Sequence, residues 1–219
     1  MQDLQYIEIE TQANPTAAVI WLHGLGANGH DFEPVVPELG LPEGAAVRFI
    51  FPHAPNLPIT INGGMSMPAW YDIKAMDLDR IIDTEQLMAS ARAVGKLVDR
   101  EIERGIASEN IVIAGFSQGG AVAYELGLTY PKRLAGILAL STYFATAKSV
   151  KPSPANAGIP ISIYHGTADP MVQEVLGLRS LEALNEMGYQ PAYMTFPMEH
   201  SVCLEEIKEV GQFIRKYAL

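Results

Sequence analysis

The sequence predicts an α/β protein with a mainly parallel central sheet and helices on both faces. From residue 17 onward, short continuous apolar runs alternate with amphipathic stretches long enough to be helices, the order of a parallel sheet covered on both sides. A second observation agrees. His23, Ser117, Asp169 and His200 each fall just after the end of a predicted strand, where open α/β sheets collect ligands.

Residues 6–11 alternate (Tyr-Ile-Glu-Ile-Glu-Thr) and read as a half-exposed edge strand, whereas residues 17–22 are continuously apolar and read as a buried one. The second run ends in the loop His23-Gly24-Leu25-Gly26, with a helix expected to start near Asp31. Residues 47–51 form the next strand, stopped by Pro52 and Pro55. A long irregular connection follows, rich in Met and aromatic residues, and such loops are usually functional. Asp83 or Thr84 caps a long helix reaching about Arg104, with Ile81, Leu87, Ala91, Val94, Leu97, Val98 and Ile102 on one face. Strands are then expected at 111–114, 134–140, 159–164 and 192–196, and further helices at 172–187 and 204–217.

A chain of 219 residues without repeats, low-complexity segments or flexible linkers reads as one domain, residues 1–219. Apolar residues make up 48% and charged residues 18%, which excludes a disordered chain. The net charge of −10 argues against a nucleic-acid partner and against attraction to an anionic membrane. One cysteine makes no internal disulfide, so a reducing compartment is the default. Met1-Gln2-Asp3-Leu4-Gln5 lacks the basic and apolar regions of a signal peptide, and no apolar run approaches the ~18 residues of a membrane span. The expectation is a soluble cytoplasmic protein with no stable membrane anchor.

The centre of the chain is Gly115-Phe116-Ser117-Gln118-Gly119, a Gly-x-Ser-x-Gly between a β-branched strand and a helical segment. With Gly and Ser each near 7% of residues, chance supplies such a match in roughly one chain in 14 of this length. The flanking strand and helix give it meaning, because a sharp turn there strains the serine and lifts its hydroxyl clear of the sheet. Gly115 and Gly119 are expected where a Cβ would clash as strand and helix close together.

A serine nucleophile needs a base, and the base needs an orienting group. In this kind of fold the chain order is Ser, acid, His. Of the five histidines, His200 alone follows both Ser117 and an acid with a strand between; His165 precedes Asp169 and fits only the wrong order. Asp169 is the acid by elimination. Glu125, Glu174, Glu182 and Glu186 fall on helices, and Glu199 adjoins His200 in sequence. The bland alternative for Asp169 is a carboxylate capping the helix just beyond it. Two backbone N–H groups are needed for the oxyanion: Gln118, directly after the serine, and Leu25, in the glycine-flanked loop after the second strand.

The stretches Trp21-Leu22-His23-Gly24-Leu25-Gly26, Asn62-Gly63-Gly64, Met67-Pro68-Ala69-Trp70-Tyr71-Asp72-Ile73, Gly115 to Ala121, Ala139-Leu140-Ser141-Thr142-Tyr143, His165-Gly166 with Asp169, and Pro197-Met198 with His200 together resemble the carboxylesterase/acyl-protein thioesterase (lysophospholipase-like) family. The resemblance covers nearly the whole chain. It implies an α/β-hydrolase fold without a large cap domain, the triad Ser117, Asp169 and His200, and oxyanion donors Leu25 and Gln118. It also implies hydrolysis of carboxylic esters, acyl thioesters on proteins or lysophospholipids without metal or cofactor, and a possible homodimer. One departure is Glu199, where relatives usually have Gly before the histidine. It either points into solvent or acts on His200 as a neighbouring carboxylate.

Met65, Trp70, Tyr143 and Met171 are the candidates for an acyl-binding groove, since methionine suits a pocket that adapts to different chains; the bland alternative for Trp70 and Tyr143 is plain core. Asp31 and Asp72 read as turn or cap carboxylates and Cys203 as a buried apolar residue on the last helix; no histidine spacing suits a metal. The leading reading is a serine carboxylesterase for short to medium acyl esters. The alternative is an acyl-protein thioesterase or lysophospholipase for long chains. A binding protein on a hydrolase scaffold would have lost the serine, the histidine or a donor glycine, and all are present.

Overall fold

The structure, a computed structural model, describes residues 4–76, 78 and 80–219. Residues 1–3, part of the N-terminal reading above, lie outside the described residues. The main sheet has seven strands in the order β1 (Tyr6–Glu10), β3 (Val47–Pro52), β2 (Ala17–Leu22), β8 (Ile111–Phe116), β9 (Gly136–Leu140), β10 (Ile161–Gly166) and β11 (Ala192–Phe196). Only β1 is antiparallel, an edge strand paired with β3. The other pairs run parallel. This is the α/β-hydrolase type of fold, with no large cap domain among the described residues.

The strand side chains divide between two apolar layers because successive residues point to opposite faces. Ala18, Ile20, Leu22, Ile111 and Ile113 pack on one side with α1 (Thr84–Glu103), α2 (Gln118–Thr129) and α3 (Glu174–Glu186). Val19, Trp21, Val112 and Ala114 pack on the other with α4 (Leu204–Tyr217), whose Ile207, Val210, Phe213 and Ile214 are buried. Every residue of β2 is buried, as a strand covered on both faces requires. Asp83 caps α1, accepting from Gln86 N–H at 3.0 Å. The helix buries Leu87, Ala91, Val94, Leu97 and Val98. Ile81 belongs instead to a short strand ahead of the helix and is exposed, so it is not part of that face.

Two sequence expectations are corrected. The segment near Asp31 forms 3-10 turns, Gly29–Asp31 and Glu33–Leu39, because Pro37 inside the second removes an N–H an α-helix would use. The long connection after β3 is not irregular: β4 (Asn56–Ile59) and β5 (Met65–Pro68) form an antiparallel hairpin, and β6 (Ile73–Ala75) and β7 (Ile81–Ile82) form a second. Asn62-Gly63-Gly64 forms its turn, with both glycines at positive φ.

The chain winds outward from β2 to β3 on one side and from β8 through β11 on the other. The strand order therefore reverses between β2 and β8. The crevice at the carboxyl ends of those two strands is where an open α/β sheet places its ligand. Among the described residues, no helix is long and apolar enough to cross a membrane.

Candidate active site

β8 ends at Phe116, and Ser117 sits on the turn before α2 with φ 53° and ψ −120°. That left-handed backbone is strained for a residue with a Cβ, by roughly 1–3 kcal/mol. The surroundings hold it there: Ser117 N–H donates to Leu140 O at 2.9 Å, and Thr142 Oγ1 donates to Ser117 O at 2.5 Å. A Cβ on Gly115 would lie 2.3 Å from Gly119 O, and one on Gly119 would lie 2.6 Å from His23 O. Both glycines are required by close approach, as the motif predicts.

His200 Nε2 is 2.9 Å from Ser117 Oγ, and its Nδ1 is 2.7 Å from Asp169 Oδ2. With a carboxylate facing Nδ1, that nitrogen carries the proton and Nε2 is free to accept the serine hydroxyl. The ring packs on Phe116 at 4.8 Å between centroids. Asp169 Oδ1 accepts from Met171 N–H at 2.9 Å and Val172 N–H at 2.8 Å. Burial alone would raise the Asp169 carboxyl; the hydrogen bonds from His200, Val172 and Met171 outweigh it and hold the group below the usual carboxylate range. Asp169 does not cap α3, whose N-cap is Gln173 with no side-chain bond; one carboxylate oxygen fixes the turn ahead of the helix while the other faces the histidine.

His165, set aside by its chain order, has a different place. It is fully buried on β10, and its Nε2 donates to Val172 O at 2.7 Å, tying down the loop that carries Asp169. Glu199 is exposed.

The loop after β2 is fixed by His23. Ala54 N–H donates to its Nε2 at 3.0 Å, so Nδ1 carries the proton and donates to Gly24 O at 2.7 Å. Burial drives the ring pKa down to about 4, so His23 is neutral. Trp70 Nε1 donates to His23 O at 2.9 Å, and Gly26 N–H donates to Pro68 O at 2.8 Å. The Gln118 side chain accepts from Trp70 N–H and donates to Tyr71 O, each at 2.7 Å. Loop, hairpin and helix start are therefore one hydrogen-bonded unit beside Ser117. The N–H of Gln118 opens α2 and has no partner within the helix, which leaves it available to an anion. Leu25 lies on the same rim.

A pocket of about 250 Å³ opens at Ser117 and His200. Tyr143 and Met171 line it, as the sequence suggested, together with Ile61, Tyr71, Ile73, Met76, Arg80 and Val172. Met65 and Trp70 do not. Met65 lies on the outer side of the hairpin, 65% exposed, and Trp70 is wholly buried behind the loop, where its indole N–H is used. Met65 sits at the exposed start of β5, and the bonds of Trp70 Nε1 to His23 O and of its N–H to Gln118 draw Trp70 inward. Asp31 is also corrected. Asn28, not Asp31, caps its turn, and Asp31 stands on the pocket rim, where burial raises its carboxyl. Asp72 is a turn carboxylate, accepting from Thr60 N–H and Oγ1 at 2.7 and 2.6 Å. Cys203 is half-buried at the N-cap of α4, outside the helix proper, and burial pushes its thiol up. Among the described residues no group of three His, Cys, Asp or Glu side chains converges to hold a metal ion.

The family model described as Phospholipase/Carboxylesterase matches residues 4–218. Acyl-protein thioesterase 1 of Gibberella zeae is 43% identical over 212 residues, covering 92% of this chain and 90% of the relative. Among solved structures, Zea mays acyl-protein thioesterase 2 superposes with a TM-score of 0.87 at 28% identity, covering 98% of this chain and 99% of that one. Arabidopsis thaliana SOBER1 superposes with a TM-score of 0.86 at 30% identity, over 93% and 99% of the two chains.

Proposed function

We propose that this chain, which belongs to the phospholipase/carboxylesterase family and is a hydrolase of the esterase and thioesterase type, cleaves acyl thioesters on proteins through a Ser117 acyl-enzyme. The observation that carries the chemistry is the continuous relay Ser117 Oγ to His200 Nε2 to Asp169, at 2.9 and 2.7 Å. The relatives named acyl-protein thioesterase favour the thioester over the short-chain ester as substrate class.

In the proposed cycle, Ser117 Oγ attacks the acyl carbonyl while His200 Nε2 takes the hydroxyl proton. The carbonyl oxygen becomes an oxyanion facing the N–H groups of Gln118 and Leu25, which strengthen their hold as charge develops. Collapse breaks the acyl–sulfur bond, and His200 returns the proton to the departing thiolate. Water, deprotonated by the same histidine, then splits the serine ester and releases a carboxylic acid. Asp169 keeps the imidazole in one tautomer and stabilises its charged form throughout.

A second reading, a carboxylesterase for short to medium acyl chains, is favoured by the pocket, whose 250 Å³ is below the about 300–1,000 Å³ of most small-molecule sites. One experiment tests both: hydrolysis of acyl-peptide thioesters and of p-nitrophenyl esters from two to sixteen carbons, wild type beside Ser117→Ala. Activity lost by about 10⁴-fold or more in the variant supports the nucleophile. Preference for long acyl thioesters supports the first reading, and preference for short esters supports the second. A folded wild type inactive on every substrate refutes the hydrolytic mechanism.

A further inference from the structure

We propose that Arg80 sets the acyl-chain length this protein accepts, by standing as a partition between the serine pocket and a larger, partly apolar groove beside it. The inference rests on the serine-hydrolase reading above and concerns what lies at the far end of its pocket.

The groove has a volume of about 810 Å³, against about 250 Å³ for the serine pocket. Its walls are mixed: Ile82, Phe144, Leu176 and Met187 give apolar surface, while Lys148 and Glu186 put charged groups on it. The two cavities share two lining residues, Tyr143 and Arg80. Tyr143 is held from behind, its hydroxyl 3.1 Å from that of the fully buried Tyr71. Arg80 reaches across from the segment before β7. Its guanidinium lies over the Tyr143 ring, 4.9 Å from the centroid, and donates to the Met171 carbonyl on the loop that carries Asp169. The side chain thus spans the gap between that loop and Tyr143, closing the serine pocket on the side where the groove begins.

A ring stack, a hydrogen bond to a carbonyl and a polar contact with the Tyr143 hydroxyl are interactions that water can replace. Arg80 Nε is also buried without a hydrogen-bond partner, so the closed position leaves the guanidinium incompletely satisfied. An arginine in this situation can carry its charged head out to solvent while its aliphatic stem stays along the wall. A short acyl chain fits on the near side of Arg80. A long one meets the side chain, and only its displacement lets the distal methylenes enter the groove, where apolar burial favours each added carbon.

The test is the ratio of kcat/KM for twelve-carbon and four-carbon p-nitrophenyl esters in wild type, Arg80→Ala and Arg80→Lys. Arg80→Ala is expected to raise the ratio about ten-fold, at least the effect of one methylene in an apolar pocket, mainly through KM. Arg80→Lys keeps a cation for the Met171 carbonyl but loses the planar stack, and falls between. Ala183→Trp, which narrows the groove from its far wall with Arg80 intact, lowers the ratio, so the proposal stays testable even if an Arg80 variant folds poorly. Calorimetric binding of laurate and butyrate to Ser117→Ala with and without Arg80→Ala needs no turnover, and laurate alone should gain affinity. If neither ratio nor laurate binding responds to Arg80→Ala, the partition is overturned whatever the nucleophile proves to be. If binding responds but the wild type hydrolyses nothing, the partition stands and the serine mechanism fails.

Discussion

Gly166, the last residue of β10, lies against the Met198 carbonyl so closely that a Cβ built on it would sit 2.4 Å from that oxygen, and 2.6 Å from the carbonyl of Glu199. The strand leading to Asp169 and the loop leading to His200 are therefore packed backbone to backbone. Ala168 N–H donates to the same Met198 oxygen at 3.1 Å, and Thr167 N–H donates to Phe196 O at 2.9 Å. The 2.7 Å contact between Asp169 and His200 is set by this seam as much as by the two side chains.

Gly166→Ala should accordingly push the two loops apart and misalign the histidine. A displacement near 1 Å at a reacting group lowers turnover by about a hundred-fold. Ester hydrolysis by the folded variant, its melting temperature recorded alongside, checks this. Unchanged kcat would show that the seam does not set the His200 position.

His23 gives a pH dependence whose sign can be worked out. Its pKa falls from an ordinary 6.5 to about 4 in the folded protein, with burial the largest cause. Between those values the unfolded chain binds the proton and the folded one does not, so stability rises with pH across that window. The contribution is fully present above pH 6.5 and is lost as pH falls toward 4, amounting to roughly 3 kcal/mol. His23→Gln keeps an acceptor for Ala54 and a donor for Gly24 but cannot titrate. Denaturant unfolding at pH 7 and pH 4.5 should show a shallower loss in the variant. Equal losses would place the proton uptake elsewhere.

The opposite end of the sheet holds a charged cluster that should affect stability alone. Glu101 is fully buried, 2.6 Å from Arg48 Nη1 and 2.9 Å from Arg104 Nη1. Arg48 also meets Glu10 at 2.8 Å, and Arg104 meets Glu8 at 2.6 Å. Removing one partner of a buried pair leaves the other desolvated and unpaired. Glu101→Gln should cost about 3 kcal/mol, the lower end because Arg48 retains Glu10. Urea unfolding measures that loss, and kcat should hold, since Arg48 lies near the amino end of β3, away from the carboxyl ends of the strands where Ser117 sits. A fall in kcat as large as that from Gly166→Ala would contradict the separation.

Much of this molecule was legible from one dimension. The alternation in residues 6–10 marks the edge strand, and the unbroken apolar run at 17–22 marks a strand covered on both faces. Gly115 and Gly119 flank Ser117 because strand and helix meet there, a local demand that sequence records directly. His200 and Asp169 followed from chain order, which the fold class imposes. The walls of the pocket were not legible in the same way. Trp70 and Met65 sit in a Met-rich, aromatic stretch that reads as a groove, yet hydrogen bonds to His23 and Gln118 draw Trp70 inward behind the loop, and Met65 on the hairpin faces solvent. Arg80 carries no motif at all.

The sequence by itself determined the order of elements, the strained serine and the identity of its two partners, because each depends on contacts within a few residues or on the order imposed by the sheet. Tertiary structure alone decided what surrounds them. His165 and Gln118 became struts for the Asp169 loop and the hairpin, and Arg80 came to lie over Tyr143, 63 positions away along the chain. Such contacts join segments that are distant in sequence, and their geometry is fixed only when the sheet, the hairpins and the loops pack together.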